Sequence, residues 1–351
     1  MMDQVLKDKY TQTRARPFDE ISGVVCRGYS LALQRVMTDF GADESFSEAT
    51  KKISEHYGIH VSMSATQRIT EWHAEIIRIE EDSRHTEVLA TNPPGKSADI
   101  IISEIDGSMV PIVAFNLPAG KTAEEVDLRK YRTLMYKEAR LALSHQQDSV
   151  TPVYAATMGD VHEAGKQLRF SAEAVGLNDK TKVHGVGDGA PWIAIQFEEQ
   201  FAAQSTYLID FYHLCEYLAE AAKSISTNSH AWIEQQKVLL KDSQVKEVLM
   251  ALKSYIEPSN VPDENAPVRV CYRYIENRDG QFLYKEALEK NLPIGSGEVE
   301  SEHRYISQKR LKLAGAWWKD TNAANMLSLR VLRANNHWQG YWKNTRLKAV
   351  A

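Results

Sequence analysis

The sequence predicts an α/β protein: a mixed sheet preceded by helices and interrupted by a long helical insertion. Three observations predict it. Residues 28–83 carry apolar positions at helical spacing. Between 98 and 223, short apolar runs end at turn residues and lead into helical stretches, the alternation of an α/β sheet. Residues 224–292 are mostly polar and helical in pattern, and a Pro/Gly break at "LPIGSG" follows them. The expected division is a helical leader over 1–90, a sheet core over 98–223, a helical insertion over 224–292, and over 293–351 the last part of the core with basic helices.

The elements follow in order. "GYSLALQRVMTDF" is a helix expected to stop at Gly41. "SFSEATKKISEHYGI" opens on serines that suit an N-cap and sets Ala49, Ile53 and Tyr57 four apart. In "HVSMSATQRITEWHAEIIRIEED", Ser62 or Ser64 caps a further helix that buries Ile69, Trp72, Ile76 and Ile77. Two helices joined by a short Gly-containing turn make a helix-turn-helix candidate over 45–83. Its second helix offers Thr66, Gln67 and Arg68 near its N-terminus, where a recognition helix reads base edges. Helical pairs of this kind also serve as packing units alone.

"TNPPGKS" at 91–97 is a breaker cluster and the expected boundary. "ADIIISEIDGSMVPIVAF" predicts a strand, a tight turn at Asp106-Gly107-Ser108 and a second strand. "VTPVYAATMG" predicts another. "KVHGVGDGAPWIAIQFEEQF" predicts a strand ending at Asp188 and a helix with Pro191 near its start. "STYLIDFYHLCEYLAEAAKSI" predicts a strand ending near Asp210 and a helix. The tail from 301 to 343 is helical, basic and rich in tryptophan.

Composition narrows the function classes. The 351 residues are 43% hydrophobic and 25% charged, as in a soluble globular protein. No apolar run approaches the ~20 residues of a membrane span. "MMDQVLKDKYTQTRARPF" has no apolar signal core, so a cytoplasmic protein without a membrane partner is expected. Cys26, Cys215 and Cys271 are odd in number and far apart, which suits neither a CxxC metal site nor a disulfide framework.

Net charge is −5, and its distribution matters more than its size. Residues 301–351 hold ten Lys or Arg against two acids, so the preceding chain carries about −13. That asymmetry predicts a local phosphate-binding surface on an acidic body; a solvated basic helix is the plainer reading. At the mouth of this basic segment stands "PIGSGEVESEH", with carboxylates that would repel phosphate. A divalent metal between the two reconciles them. Asp106 in "EIDGS", Asp188 in "GVGDGA" and Glu300 in "GSGEVES" are the acids singled out by placement. Each alone has an ordinary structural role open to it, since Asp-Gly is first a turn signal and a Glu can flank a helix. Together, three carboxylates would suit Mg²⁺ or Mn²⁺, and two such ions can clamp an in-line phosphoryl displacement.

The chain resembles the DDE transposases of bacterial insertion sequences, of the ISKra type, with relatives among the Mutator-like transposases. The resemblance rests on "IDGS", "GDGAPWI" at 187–193, "DFYHLCEYL" at 210–218, "LPIGSGEVESEHR" at 292–304 and the tail "KRLKLAGAWWKDTNAANMLSLRVLRANNHWQGYW", and spans about 25–343. It implies an RNase H-like core with a helix-turn-helix-like leader and a helical insertion before the last catalytic acid. It implies that Asp106, Asp188 and Glu300 form the metal-binding triad, with Glu298 the rival for third place. Asp210 and His213 match the family's acid-x-x-His element, with His213 near the scissile phosphate or the leaving oxygen, or else a satisfied helix-start histidine. The cofactor implied is Mg²⁺ or Mn²⁺, two ions; without a Cys-rich element in the leader, no structural zinc is expected. Double-stranded DNA is the implied partner, bound by a homodimer or higher oligomer associated with the bacterial nucleoid. Gln67, Arg68, Arg304, Lys309, Arg310 and Lys312 are the expected DNA contacts. A nuclease that cleaves without joining, and a domesticated DNA-binding protein without catalysis, are the alternatives.

Overall fold

The computed structural model describes residues 28–91, 97–118, 120–122 and 124–350, with short strand pairings at 6–7, 14–15 and 24–25. Cys26 and most of the expected boundary at 91–97 lie outside the described residues. Three helices come first: α1 (Leu31–Asp43), α2 (Phe46–Tyr57) and α3 (Met63–Thr91). Ser45 caps α2 by accepting from Glu48 N, and Gly58 ends it in the left-handed region at φ 64°. Ser62 Oγ accepts from Ala65 N, so Ser62 rather than Ser64 serves the start of α3. Gly41 does not stop α1. A Cβ there would lie 2.3 Å from Thr70 Oγ1, so this glycine lets α1 and α3 cross closely.

The sheet has strands β1 (Ile100–Phe115), β2 (Arg132–Gln146), β3 (Val153–Thr157), β4 (Lys182–Gly187) and β5 (Ser205–Ile209), in the order β3-β2-β1-β4-β5. The first three form an antiparallel meander; β4 runs parallel to β1, and β5 parallel to β4. The expected turn at Asp106-Gly107-Ser108 does not form. Asp106 pairs with Leu141 and Gly107 with Arg140 inside one unbroken ladder. Gly107 instead makes room for Glu138, whose Oε1 would stand 1.9 Å from an added Cβ. Helices α4 (Val161–Ala174) and α5 (Pro191–Phe201) cover one face, where Ile101, Ile105 and Ala142 meet Leu168, Ile193 and Phe197.

Beyond β5, α6 (Phe211–Ile225) leads into the insertion: α7 (Ser229–Lys241), α8 (Val245–Lys253), α9 (Pro267–Glu276) and α10 (Tyr284–Glu289). These helices build an apolar core of their own on α6, with Leu214, Leu218, Leu240, Val248, Leu252 and Tyr284. The chain then returns as α11 (Gly297–Glu302), a π-helical turn over His303–Gln308, a short turn Lys309–Leu311, α12 (Asp320–Ala334) and α13 (Trp338–Val350). The second sheet face packs here: Val110, Ile112, Leu141 and Leu143 share one core with Ala74 and Ile77 of α3 and with Met326 and Leu329 of α12. The leader helices are therefore packed onto the sheet through the last helices. Buried Arg330 fastens this junction, donating to Ile306 O and Tyr305 O in the widened π turn and to Ala42 O and Asp43 at the end of α1.

Candidate active site

The centre of the site is Asp106 on the middle strand. Its side chain is 29% exposed, and three other carboxylates oppose its charge. Burial, then the negative charges of Asp188, Glu300 and Glu138, push its pKa up to about 6. Asp188 follows the last residue of β4, and its Oδ1 accepts from Ala190 N at 2.8 Å. Glu300 is exposed on α11. The fold thus brings Asp188 and Glu300 each within electrostatic reach of Asp106. Among the described residues, no three His, Cys, Asp or Glu side chains already stand in a metal-ligating cluster.

Glu298 is engaged elsewhere. It faces His145 at 3.3 Å, and that contact holds its carboxyl below the usual range. The contact also raises His145, against the effect of burial. His303 lies under Asp106, with Nε2 3.0 Å from Asp106 O and Nδ1 2.9 Å from Ser307 Oγ. Burial lowers this imidazole to about 4, so at neutral pH it carries no charge to offset the carboxylates.

Two further acids hold the Glu300 segment in place, and sequence reading missed both roles. Glu104, 1% exposed inside β1, accepts from Val299 N at 2.9 Å. Burial raises it to about 8, which keeps it protonated at neutral pH. The signal was an acid inside the apolar run "DIIISEID". Asp210 is 4% exposed and caps α6 through Tyr212 N and His213 N. Its other oxygen accepts from Ser296 N at 2.6 Å and Ser296 Oγ at 2.7 Å. Asp210 therefore ties the "GSG" segment to the start of α6.

His213, in the first turn of α6, is half-exposed and lies 3.6 Å from Glu216. It packs edge-on against Tyr217 and Tyr274. The insertion also reaches the Asp188 turn: Tyr274 Oη donates to Asp188 O at 2.6 Å, and Arg278 Nε donates to Gly189 O at 2.8 Å. Gly189 has φ 84°, and an added Cβ would strike Tyr274, so glycine is required under this clamp. Nothing local in the sequence pointed to Tyr274 or Arg278.

The predicted DNA contacts divide. Arg68, Arg304, Lys309 and Lys312 are exposed, although Lys309 lies 3.8 Å from Asp43. Arg310 is 2% exposed, sandwiched between Phe46 and Trp318, and donates to Gly41 O. Burial lowers it to about 10. It is a core residue and cannot serve as a surface phosphate contact. Gln67 is bonded to Glu71, which also accepts from Asn322 of α12. Thr66 is fully buried, its hydroxyl on Ser62 O, so the expected reading face reduces to Arg68.

What has this architecture is an α/β protein with an acidic centre on its middle strand. The chain belongs to the Uncharacterised protein family (UPF0236), whose family model matches residues 43–347. No curated protein matches the sequence.

Proposed function

We propose that the protein is a DDE-type DNA transposase with an RNase H-like core, which cuts at the ends of its element and joins the freed 3′-OH to target DNA. The observation that carries this reading is geometric: Asp106 lies on the middle strand, Asp188 directly follows the adjacent parallel strand β4, and Glu300 lies on α11 close enough, with Asp188, to raise the pKa of Asp106. Such a surplus of hard oxygen donors fits a divalent cation better than a structural role. The strand order, with a parallel pair added to an antiparallel meander, supports the RNase H-like reading. Asp106, Asp188 and Glu300 would hold Mg²⁺ or Mn²⁺, which when bound activates an attacking water or hydroxyl and stabilises the leaving oxygen.

The other side chains orient and protect. Glu104 and Asp210 fix both ends of the segment that presents Glu300. Tyr274 and Arg278 hold the Asp188 turn. His213 would lie near the scissile phosphate or the leaving oxygen, and Arg68, Arg304, Lys309 and Lys312 would supply phosphate contacts from a DNA-bound homo-oligomer.

The test uses the full chain, Mg²⁺ and labelled duplexes carrying the DNA that flanks its gene. Asp106→Asn and Asp188→Asn should each abolish cleavage while duplex affinity stays within about threefold. Cleavage that survives chelation of divalent ions, or survives both substitutions, would sink the reading. Cleavage without joined products would assign a nuclease instead.

A further inference from the structure

Strand β2 runs well past β3, its outer neighbour. Its pairing with β3 covers Arg140–Ser144, and residues 132–139 run on with no strand on their outer edge among the described residues. Arg132–Tyr136 are exposed without a break. Successive strand residues point to opposite faces, so neither face of this segment is covered. Three of the five exposed side chains are large and apolar: Leu134 is 40% exposed, Met135 48% and Tyr136 60%. An open edge bearing such residues is a template for another strand. Lys137, the residue that would guard it, is engaged by Asp320 at 2.8 Å.

We propose that residues 132–138 pair antiparallel with the same residues of a second copy of the chain, joining two sheets across a twofold axis. The pleat permits such a twofold only where the register centres on a residue. Centred on Met135, the register sets Arg132 opposite the partner's Glu138, Leu134 opposite the partner's Tyr136, and Thr133 opposite the partner's Lys137. Opposite charges and an aromatic–aliphatic pair then face each other on one side of the sheet, both favourable cross-strand pairs. Arg132 is already ordered over Trp317 at 4.3 Å. Glu138 is bonded to Arg140 on the same side of the strand through Oε2, while its Oε1 lies over Gly107 of β1, so the carboxylate turns outward to meet the partner's Arg132. Centring on Tyr136 would oppose Arg132 to the partner's Arg140 and Leu134 to the partner's Glu138. Centring on Leu134 would run the pairing into the 3₁₀ turn at Leu128–Tyr131. The Met135 register is the self-complementary one. It does not depend on the proposed chemistry.

Single cysteines test both the pairing and its register. Met135→Cys meets its own copy and should form a covalent dimer in most of the protein under mild thiol oxidation by diamide. Thr133→Cys should not, because its two copies are offset by four residues, about 13 Å, beyond the ~7 Å Cα reach of a disulfide. The wild-type chain controls for the native cysteines. By sedimentation without DNA, the wild type should dimerise and Met135→Lys should weaken the dimer at least ~10-fold, with an unchanged circular dichroism spectrum. A wild type that stays monomeric to about 100 µM, a dimer indifferent to Met135→Lys, or equal cross-linking at 133 and 135 would each overturn the proposal.

Discussion

Glu298 and Glu300 lie two residues apart on α11, and their surroundings separate them. Glu298 is paired with His145, whereas the charge of Glu300 is felt at Asp106. On the proposed chemistry, Glu300→Gln should cut the initial cleavage rate by more than ~100-fold, the scale of one preorganised electrostatic group, and Glu298→Gln by only a few-fold. The reverse order would move the third acid to Glu298. A second residue-scale expectation concerns His73, which is fully buried between Tyr341 Oη at 2.6 Å and Gln34 Oε1 at 3.0 Å. Burial lowers its pKa to about 4 from an ordinary 6.5. The unfolded chain therefore takes up the proton first, so stability is full above the ordinary value and is lost as pH falls toward about 4. Below that window the loss from this ring is on the order of 3 kcal/mol. Urea midpoints measured from pH 7 to 4 should fall more steeply for the wild type than for His73→Gln. Equal slopes would assign the acid sensitivity to other groups.

Elements were legible where one local rule decided them. Ser45 and Gly58 bracket α2 as caps should, and Pro191 opens α5. Rules failed where distant contacts took over. Asp106-Gly107 reads as a turn, yet β1 runs straight through it paired with β2 on both sides, and Glu138 occupies the space above the glycine. Strand β2 escaped notice because its first five residues are all exposed and show no alternation between a core and a solvent face. The acids of the candidate site were singled out by motif, but the residues that contact their segments were not. Tyr274 sits 86 residues from Asp188, and only the folded insertion joins them. That join predicts a separable effect. Tyr274→Phe removes one hydrogen bond, about 1 kcal/mol of stability, but releases the carbonyl of a proposed catalytic residue. A misplacement near 1 Å can cost ~100-fold in rate, so the cleavage rate should fall at least tenfold, with a small shift in the unfolding midpoint. An unchanged rate would show that the insertion supports the fold and not the site.

Across the whole molecule, the charge asymmetry that first suggested a phosphate surface is not all surface charge. Part of it is structural. Arg310 and Arg330 are buried, and Arg333 is committed to Asp39 and Asp43 at the end of α1. These cations bind the last helices to the first ones. Asp43 answers them: although burial opposes its charge, Arg333 and Arg330 hold it below the usual carboxylate range. The basic surface left exposed is accordingly smaller than the sequence count implied, and on the proposed function Arg304 and Lys312 are the members of it that meet DNA. Each cation that reaches phosphate adds about −0.9 to the slope of log affinity against log salt on duplex DNA. Replacing Arg304 and Lys312 together by Ala should therefore flatten the slope by roughly 2 and weaken all duplex sequences about equally. Arg310→Ala should behave differently. It strips the donor from Gly41 O and opens a gap between Phe46 and Trp318, at a cost of about 2–4 kcal/mol in stability. At temperatures where this variant remains folded, its salt slope should equal that of the wild type. Slopes measured by fluorescence anisotropy, beside circular dichroism melts, separate the two cases. A flattened slope in folded Arg310→Ala would return that residue to the DNA surface. An unchanged slope in the double variant would leave the exposed basic residues as solvated charge with no phosphate to bind.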